Sequence, residues 1–456
     1  MPKKILVIGN SPIPQENPSK LTCPEIRTGI ICEHLKDKGN LMLLGIREES
    51  YYVEKNLPDI FKSNDFDFKY YSINKKVFRK YRPILDIIHN FSPDVMIGIN
   101  TFPSYYAAIS GLKVPFWADL NGSAMMEAQL KSYREKDETF IHEFWEIEKT
   151  IIQRADKLSV VSTPQKFELV GELGGIGRLN GINAGYEFVS VIPEPVFNDG
   201  FENYSKSLDK RRFFKDDDFV ILWLGGYNYW TDIDFLYEVL TGSMRRNKKI
   251  KFLSVGGSIE TQKNKIFLQF KNKASNSEFA DNFKFFDNIL TSDLSVFYNE
   301  ADAGINIDTD SYETMFGARY RITDMLRHGL PIVSTRGSEI TQIIEKEKLG
   351  FISDIGDIDS MIENILQISA NTKEYLNSFN EKTTRFALKE FSPDVVLKPL
   401  SEWILHSEMS PDHNVIVGYN FWVNLFKKIR TFLRLLNNPT RLGEVLKRKV
   451  SAFIKG

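Results

Sequence analysis

The sequence predicts an α/β protein of two Rossmann-like domains that face each other across a cleft, followed by a basic amphipathic helical tail. Short apolar strands alternate with segments of helical periodicity over about the first 200 residues. A polar, turn-rich segment at 198–218 interrupts the alternation, which then restarts. Such alternation is typical of parallel, doubly wound sheets, and 456 residues suffice for two or three domains. The cleft between two such domains is the expected ligand site.

The interruption and the restart set the predicted boundaries. We place one domain at 1–198, a second at 215–395, a helix at 396–410 and the tail at 411–456. The first domain has predicted strands at Ile5–Ile8, Leu41–Gly45, Val95–Ile99, Val114–Ala118, Leu158–Val161 and Phe188–Ile192. The second has them at Val220–Leu224, Lys251–Val255, Phe283–Phe286, Gly304–Ile307, Pro331–Ser334 and Gly350–Ile352.

Composition narrows the class of protein. Hydrophobic residues make up 42% and charged residues 26%, which is typical of a soluble globular protein. A net charge of −1 gives no electrostatic support to a general nucleic-acid-binding role. Two cysteines, Cys23 and Cys32, provide no disulfide framework and favour a reducing cytoplasm. The sequence contains no run of 18 apolar residues, so we expect no transmembrane helix.

The tail differs in charge from the rest of the chain. Residues 419–456 contain nine Lys or Arg and one acid, so they carry +8 and the remainder carries −9. Apolar residues recur there at helical spacing, at Trp422, Leu425, Phe426, Ile429, Phe432, Leu433 and Leu436. Basic amphipathic helices of this kind lie at anionic membrane surfaces. We therefore expect the tail to hold the protein on the inner face of the cell membrane, with packing on the body or on a partner subunit as the alternative.

The segment 302–335 concentrates charged residues in one strand-loop-helix unit. The strand-like AGINI leads into an acidic loop, a helix follows, and Gly329-Leu330-Pro331 ends that helix before the next strand. Its charged side chains include Asp308, Asp310, Glu313, Arg319, Arg321 and Asp324. In open α/β sheets, ligands bind at such a loop and helix start, and this mixture suits sugar hydroxyls and phosphates.

Each member of this unit has a plainer interpretation. The arginines could form a solvated helix face paired with Asp324, and Glu313 could be a surface acid. Arginines two positions apart point in different directions on a helix, so we expect one of them to reach a ligand. Asp308-Thr309-Asp310 has the form of a metal-binding Asp-x-Asp motif, but three-residue acidic patterns are common. We interpret it as a polar loop and predict no metal.

A pair of glycines ends the first strand of the second domain. Gly225-Gly226 lets backbone N–H groups approach a diphosphate, with help from a helix that begins near Asp232. The alternative is an ordinary strand-to-helix turn in which Asp232 is the N-cap. Trp230 lies between Gly226 and Asp232 in the sequence. It could cover a bound ligand as a lid or pack in the core, and we prefer the core.

Two residues of the first domain are further candidates. Arg27 lies near the start of the first helix, where it could face the cleft and bind a diphosphate, or could be a surface residue. Asp119 ends a strand, where a carboxylate could orient an acceptor hydroxyl or take its proton. Alternatively it caps the helix that follows, a role that Asn121 or Ser123 would fill equally well.

Six segments spread over the chain carry a family resemblance. They are CPEIR from residue 23, DLNGSAMMEAQ from 119, STPQKFELVGELGGIGRLN from 162, LWLGGYNYWTD from 222, ETMFGARYRITDMLRHGLPIV from 313 and FSPDVVLKPLSEW from 391. With these segments, residues 1 to about 405 resemble GT-B glycosyltransferases of the family-four type. More narrowly, they resemble the branch found among bacterial surface-polysaccharide enzymes.

The resemblance implies a retaining glycosyltransferase that moves a sugar from a nucleoside-diphosphate sugar to a glycan or lipid-linked acceptor. It implies no obligatory cofactor, an acceptor-binding first domain, a nucleotide-sugar-binding second domain and a helix at 396–410 that crosses back. The catalytic residues would be Asp119, Arg321 and Glu313. The donor-binding residues would be Gly225, Gly226, Asp232, Arg27, Arg319 and Asp324.

The sequence departs from the family pattern in the donor motif. Common members carry two glutamates eight positions apart before Gly-Leu-Pro; here Asp324 takes the second place, Phe316 falls at the first and Glu313 lies three residues earlier. The first domain also has no Gly-Gly loop near residue 15. Two other functions stay open, a nucleotide-sugar epimerase and a noncatalytic GT-B scaffold. The sugar, base, acceptor, linkage and oligomeric state are left undetermined.

Overall fold

The structure, a computed structural model, describes most of the chain. It covers residues 2–197 apart from 19 and 53–56, residues 211–414 apart from 258–264, 288 and 372, and residue 429. Of the predicted tail at 411–456, only residues 411–414 and 429 are described, so its amphipathic pattern at 419–456 lies outside the described residues apart from residue 429. Among the described helices, none is both long and apolar enough to cross a membrane.

The first half forms an eight-stranded sheet in the order β3-β4-β2-β1-β5-β6-β7-β8. Its strands are β1 (Lys4–Ser11), β2 (Asn40–Arg47), β3 (Ile60–Ser63), β4 (Lys69–Asn74), β5 (Val95–Ile99), β6 (Phe116–Leu120), β7 (Lys157–Val160) and β8 (Val189–Val191). All pairs are parallel except β3 with β4. The six predicted strands are confirmed within a few residues, and the edge pair β3–β4 was not predicted.

The second half forms a six-stranded parallel sheet in the order β11-β10-β9-β12-β13-β14. Its strands are β9 (Phe219–Leu224), β10 (Ile250–Val255), β11 (Phe283–Phe286), β12 (Ala303–Asn306), β13 (Ile332–Thr335) and β14 (Gly350–Ser353). All six were predicted. The predicted class, two Rossmann-like parallel-sheet domains, is confirmed.

Helices connect the parallel strands and cover the sheets. Those of the first half are α1 (Cys23–Leu35), α2 (Lys75–Lys80), α3 (Arg82–Phe91), α4 (Thr101–Ala108), α5 (Ala124–Glu135), α6 (Thr139–Arg154) and α7 (Thr163–Gly175). Those of the second are α8 (Ile233–Arg246), α9 (Lys265–Ser275), α10 (Leu294–Glu300), α11 (Tyr312–Phe316), α12 (Tyr320–Arg327), α13 (Glu339–Glu347), α14 (Ile358–Ser369) and α15 (Lys373–Phe391). The central strands are buried on both faces, so they appear in the sequence as short apolar runs.

After α15 the chain packs on the first sheet through α16 (Pro393–Val396) and α17 (Lys398–Leu405). Trp403 packs edge-to-face on Trp117 of β6, with ring centres 5.3 Å apart. Lys3 Nζ donates to the carbonyl of Ile404 at 2.7 Å, near the C-terminal end of α17. These contacts tie residues 398–405 to the N-terminal half.

Candidate active site

A cleft of about 1070 Å³ lies between the two sheets. Its lining includes residues at or just after the carboxyl ends of strands in both, such as Asn10, Asn100 and Asn121 on one side and Gly225 and Gly256 on the other. Loops at the carboxyl ends of parallel strands are where open α/β sheets bind ligands.

Arg321, in the first turn of α12, lines the cleft. Its Nη2 donates to the carbonyl of Gly226 at 2.6 Å, and its guanidinium carbon lies 4.0 Å from the centre of the Trp223 ring. Among the described residues, no carboxylate forms a salt bridge with it. Burial lowers the pKa of Arg321 to about 10, so it keeps its charge at neutral pH. The side chain is held in place with its charge unmatched, which suits an anionic ligand.

Arg319, by contrast, forms salt bridges with two carboxylates of the protein. Its Nε donates to Asp308 at 2.9 Å, and its Nη1 and Nη2 donate to the two oxygens of Glu313 at 3.1 and 2.9 Å. Burial alone would lower the pKa of Arg319, but the two carboxylates raise it. Arg319 and Arg321 thus point to different partners, as expected from their spacing.

The two acids paired with Arg319 are buried. Glu313, at the start of α11, lines the cleft, and burial raises its pKa to about 7 despite the arginine. Asp308 also accepts from the side-chain amide of Asn306 at 2.8 Å, whereas Asp310 is exposed. In the described part of the chain, no group of three or more His, Cys, Asp or Glu is arranged to hold a metal ion.

Asp324 lies one turn after Arg321 on the same helix and also lines the cleft. It accepts from Arg327 Nη2 at 3.1 Å and from the hydroxyl of Tyr298. Burial alone would raise the pKa of Asp324, but Arg327, His328 and the tyrosine hydroxyl hold it below its ordinary value. Asp324 is therefore a charged, fixed acceptor at the edge of the cleft.

The glycine pair lies at the cleft as predicted from its position after β9. Gly225 has φ +88°, a conformation that side chains rarely adopt, and its N–H donates to the carbonyl of Val255 at 2.8 Å. Space above its Cα is open. Asp232 accepts from the N–H of Phe235 at 3.0 Å and caps α8, and it does not line the cleft. Asp232 therefore has the geometry of an N-cap, which was the alternative to helping bind a diphosphate.

Arg27 and Asp119 lie behind the cleft wall, each 1% exposed. Arg27 Nε and Nη2 donate to the two oxygens of Asp119 at 2.6 and 2.8 Å, and Nη1 donates to Glu194 at 3.1 Å. Asp119 also accepts from the hydroxyl of Ser159 at 2.6 Å. This geometry does not favour direct ligand contact for either residue; it ties α1 to β6 and to the segment after β8.

The sequence argument missed several cleft residues of the first half. Asn10, Asn100 and Phe102 line the cleft, as does Glu127 in the first turn of α5. A usable signal was present, because β1 ends in Ile-Gly-Asn-Ser and the chain directly after β5 continues Asn-Thr-Phe. Polar side chains directly after buried parallel strands are cleft candidates.

Comparison with known proteins supplies independent information. Residues 218–371 match the family model described as glycosyl transferases group 1. Sucrose-phosphate synthase from Thermosynechococcus elongatus aligns over 89% of this chain and 98% of its own, with 13% identity and a TM-score of 0.64. Anabaena HepE in complex with UDP-glucose aligns over 89% and 100%, with 11% identity and a TM-score of 0.59.

A third solved structure has the same architecture. The E. coli protein titled trehalose-6-phosphate, bound with UDP-2-fluoro glucose, aligns over 88% of this chain and 98% of its own, with 10% identity and a TM-score of 0.62. At these identities the likeness shows a shared two-domain fold. No protein of curated function matches the sequence significantly.

Proposed function

Since residues 218–371 are a glycosyl transferases group 1 domain within a GT-B fold, we propose that the protein transfers a sugar from a nucleoside-diphosphate sugar to a glycan or lipid-linked acceptor. The observation that carries the proposal is the unmatched charge of Arg321 beside Gly225-Gly226 in the cleft. A diphosphate bound there would meet a fixed guanidinium and the backbone N–H of Gly226, whereas the N–H of Gly225 is already bonded to Val255. Both features stabilise the charge that develops as the diphosphate leaves.

The proposed bond changes are those of a retaining transfer, which the family resemblance implies. The bond between the sugar's anomeric carbon and the β-phosphate oxygen breaks, and the acceptor oxygen bonds to the same carbon on the same face. The acceptor's proton passes to an oxygen of the departing diphosphate. Arg321 offsets the charge that this oxygen gains, and removing one such group typically costs on the order of 3 kcal/mol of transition-state stabilisation.

The acids of the second half are proposed to hold the donor sugar. Glu313 and Asp324 line the cleft on either side of Arg321 in the chain, and both are fixed by arginines. Carboxylates fixed in this way accept hydrogen bonds from sugar hydroxyls without moving. Arg319 would then act by orienting Glu313 and need not touch the diphosphate.

Retention of anomeric configuration and a role in surface-polysaccharide synthesis are part of the proposal. They are supported by the motif at Glu313–Pro331 and by the predicted basic tail, whose charge of +8 suits an anionic membrane and a lipid-linked acceptor. UDP is the first nucleotide to test, because HepE and the E. coli protein were solved with uridine nucleotides.

A single assay separates the proposal from its alternatives. The full-length protein is incubated with a panel of nucleoside-diphosphate sugars and a bacterial glycolipid extract, and products are followed by phosphorus and proton NMR. A transferase releases the nucleoside diphosphate from one donor, and omission of the extract slows this release. An epimerase converts one intact nucleotide sugar to another, and a scaffold changes none; either result would overturn the proposal.

A further inference from the structure

A run of basic residues lies on the first half beside the cleft. Residues 75–82 have the sequence Lys-Lys-Val-Phe-Arg-Lys-Tyr-Arg, so five of the eight side chains are cationic and none is acidic. They form α2 and the start of α3, directly after β4. Residues 1–418 carry a net charge of −9, so this run opposes the charge of the body of the protein. The basic patch is defined as Lys75, Lys76, Arg79, Lys80 and Arg82.

The charges of the basic patch are largely unmatched. All five side chains are exposed. Lys75 Nζ lies 3.8 Å from a Glu48 oxygen, and the other four form no salt bridge with a described residue. Asp86, one turn after Arg82 on α3, is also exposed and forms no salt bridge within the described chain. An anionic ligand would therefore meet cations that the described part of the protein does not neutralise.

The backbone that carries the patch is anchored. Phe78 of α2 is fully buried and packs on the ring of Tyr106 in α4, with ring centres 5.0 Å apart. Tyr81, between α2 and α3, stacks on the same ring at 6.1 Å and donates its hydroxyl proton to the carbonyl of Tyr106 at 2.9 Å. Asn74 caps α2 by accepting from the N–H of Lys76 at 2.8 Å. The basic side chains consequently project from a fixed helical turn.

Tyrosine rings adjoin these cations. Tyr105 and Tyr106 of α4 are half-buried and pack edge-to-face, with ring centres 5.7 Å apart. Burial raises the pKa of Tyr106, and the neighbouring guanidinium of Arg79 opposes this rise. Aromatic rings with a polar edge suit the C–H groups and hydroxyls of a sugar, and arginine and lysine suit carboxylates and phosphates. The combination fits a sugar chain that bears acidic groups.

The basic patch is continuous with the cleft. Lys75, its first residue, lines the cleft, as do Lys20 and Tyr51 of the same half. Lys20 Nζ lies 5.7 Å from the centre of the Tyr51 ring, so a cation and a tyrosine ring are combined there as well. A chain whose reacting end lies in the cleft would pass Lys75 as it leaves and would then meet α2.

The patch does not have the character of a membrane-inserting surface. In the described chain, the first large hydrophobic side chain that is exposed is Phe102, so α2 and α3 offer none. Helices that lie in a bilayer surface bury an apolar face as well as presenting cations. Charge without such a face favours a hydrated anionic polymer as the ligand.

We propose that the basic patch binds an acidic segment of the acceptor glycan, outside the cleft and beyond the reacting end. The groups recognised are anionic oxygens, which uronic acid carboxylates and phosphodiesters both supply. The acceptor role rests on the proposed glycosyl transfer, and the inference names acidic glycans as the acceptor class for that reaction. It assigns a specificity site to α2 and α3, which lie away from the donor's expected position.

Binding of defined polymers to the full-length protein tests the inference. The probes are oligogalacturonate, poly(glycerol phosphate) of similar length and neutral malto-oligosaccharide, measured by isothermal titration calorimetry at low and at high salt. The first two distinguish carboxylate from phosphodiester as the source of charge. We expect at least one of them to bind about tenfold or more tightly than the neutral probe, and this affinity should fall as salt rises.

A patch variant and a control variant locate the binding. The patch variant leaves the cleft-lining Lys75 intact and combines Lys76→Gln, Arg79→Gln, Lys80→Gln and Arg82→Gln. It should bind the acidic probe about tenfold or more weakly, because four charged contacts are lost. The control variant removes four exposed cations of α13, α15 and α17, all outside the cleft, by Lys346→Gln, Arg385→Gln, Lys389→Gln and Lys398→Gln.

The control variant should bind the acidic probe as wild type does. Both variants lose the same charge and keep the basic tail, so a difference between them belongs to α2 and α3. All the changed side chains are exposed, and both variants should unfold at the wild-type temperature. Equal binding by wild type and the patch variant would overturn the inference and assign the anion binding to another segment such as the tail.

Three further results would also overturn it. They are no binding of either acidic probe to wild type, an equal loss of binding in the two variants, and a patch variant that loses flotation with anionic vesicles but keeps the acidic probe. Donor consumption is measured separately. If the patch binds the acidic probe but wild type consumes no nucleotide sugar, the anion site is supported, whereas the proposed function and the acceptor role of the site are overturned.

Discussion

The guanidinium carbon of Arg321 lies 4.0 Å from the centre of the buried Trp223 ring. The strand that carries Trp223 continues into Gly225-Gly226, and the carbonyl of Gly226 accepts a hydrogen bond from Arg321 at 2.6 Å. A buried ring and a backbone carbonyl thus hold the cation, and no carboxylate does so in the described part of the chain. This arrangement fixes the guanidinium without neutralising it.

Replacing Arg321 tests its role in leaving-group stabilisation. Arg321→Ala should lower kcat/KM for donor consumption by about 10²- to 10³-fold, and Arg321→Lys should recover only part of this, because an ammonium lacks the planar fork. The measurement is release of nucleoside diphosphate under steady-state conditions. Arg336→Ala, which removes an arginine paired with Glu345 and Asp354 outside the cleft, should leave the rate unchanged.

Two glycines with nearly the same positive φ form a matched pair. Gly225 has φ +88° and Gly356 has φ +86°, both with open space above Cα. Substitution by alanine should cost each about 1–3 kcal/mol of backbone strain. Only Gly225→Ala should also weaken nucleotide affinity, because Gly225 lines the cleft and Gly356 does not. Equal loss of affinity in both variants would assign the effect to stability alone.

A group of one buried and two half-buried acids predicts a pH dependence of stability. Glu148, Glu168 and Glu172 lie together in the first half, and burial raises the pKa of Glu168 to about 7 although the Ser123 hydroxyl donates to it. The folded state therefore favours the protonated form. The stabilisation is complete below the ordinary carboxylate pKa of 4.5 and declines as pH rises through about 7.

We accordingly expect the free energy of unfolding to be higher at pH 5.5 than at pH 8. Glu168→Gln, which mimics the protonated acid, should reduce that difference by on the order of 1–2 kcal/mol in urea titrations. Glu278→Gln removes an exposed acid and should leave the difference as it is in wild type. A pH profile that Glu168→Gln does not alter would contradict the assignment.

The end of the described chain is fixed by a buried ion pair. Arg178 Nε lies 3.3 Å from an Asp412 oxygen, and Ser410 N–H donates to Asp156 at 2.9 Å. Asp412→Ala would leave Arg178 buried and unpaired, so it should destabilise the protein by about 3–5 kcal/mol. A chain ending at residue 414 keeps both contacts and should unfold at the wild-type temperature in calorimetry.

The chain that ends at residue 414 also provides a test of membrane binding by the tail. The 1–414 protein and the full-length protein should be compared by flotation with vesicles containing anionic lipid, at low and at high salt. We expect only the full-length protein to float, and less of it at high salt, because each basic residue near the surface contributes about 1 kcal/mol. Equal flotation of the two would remove the proposed role of 419–456.

The fold was largely predictable because most of its strands are parallel and buried. A strand covered on both faces must be apolar along its length, as FVILWL of β9 is, so its position is visible in one sequence. The edge strand β3 and its neighbour β4 were missed because neither is a continuous apolar run: only Ser63 of β3 is buried, and β4 includes the exposed Lys69 and the half-buried Tyr71. Edge strands of mixed polarity carry a weaker signal.

The site was predictable at the level of segments and less so for single side chains. The charged loop and helix at 302–335 do line the cleft, but no local pattern shows that Arg319 is matched by Asp308 and Glu313 while Arg321 is not. Likewise, Asp119 ends its strand as expected, yet its partner Arg27 comes from a helix 92 residues earlier. Pairings of this kind depend on the packing of distant elements.

The most direct test of the account is nucleotide binding by wild type and Arg321→Ala, measured as thermal shifts with UDP, GDP, ADP, CDP and dTDP, with and without EDTA. A ligand at 100 times its Kd stabilises the folded protein by about 2.7 kcal/mol, which is readily measured. The account predicts that one nucleotide stabilises wild type, with or without EDTA, and that Arg321→Ala loses most of this shift. No shift at millimolar nucleotide, or an equal shift in the variant, would contradict it.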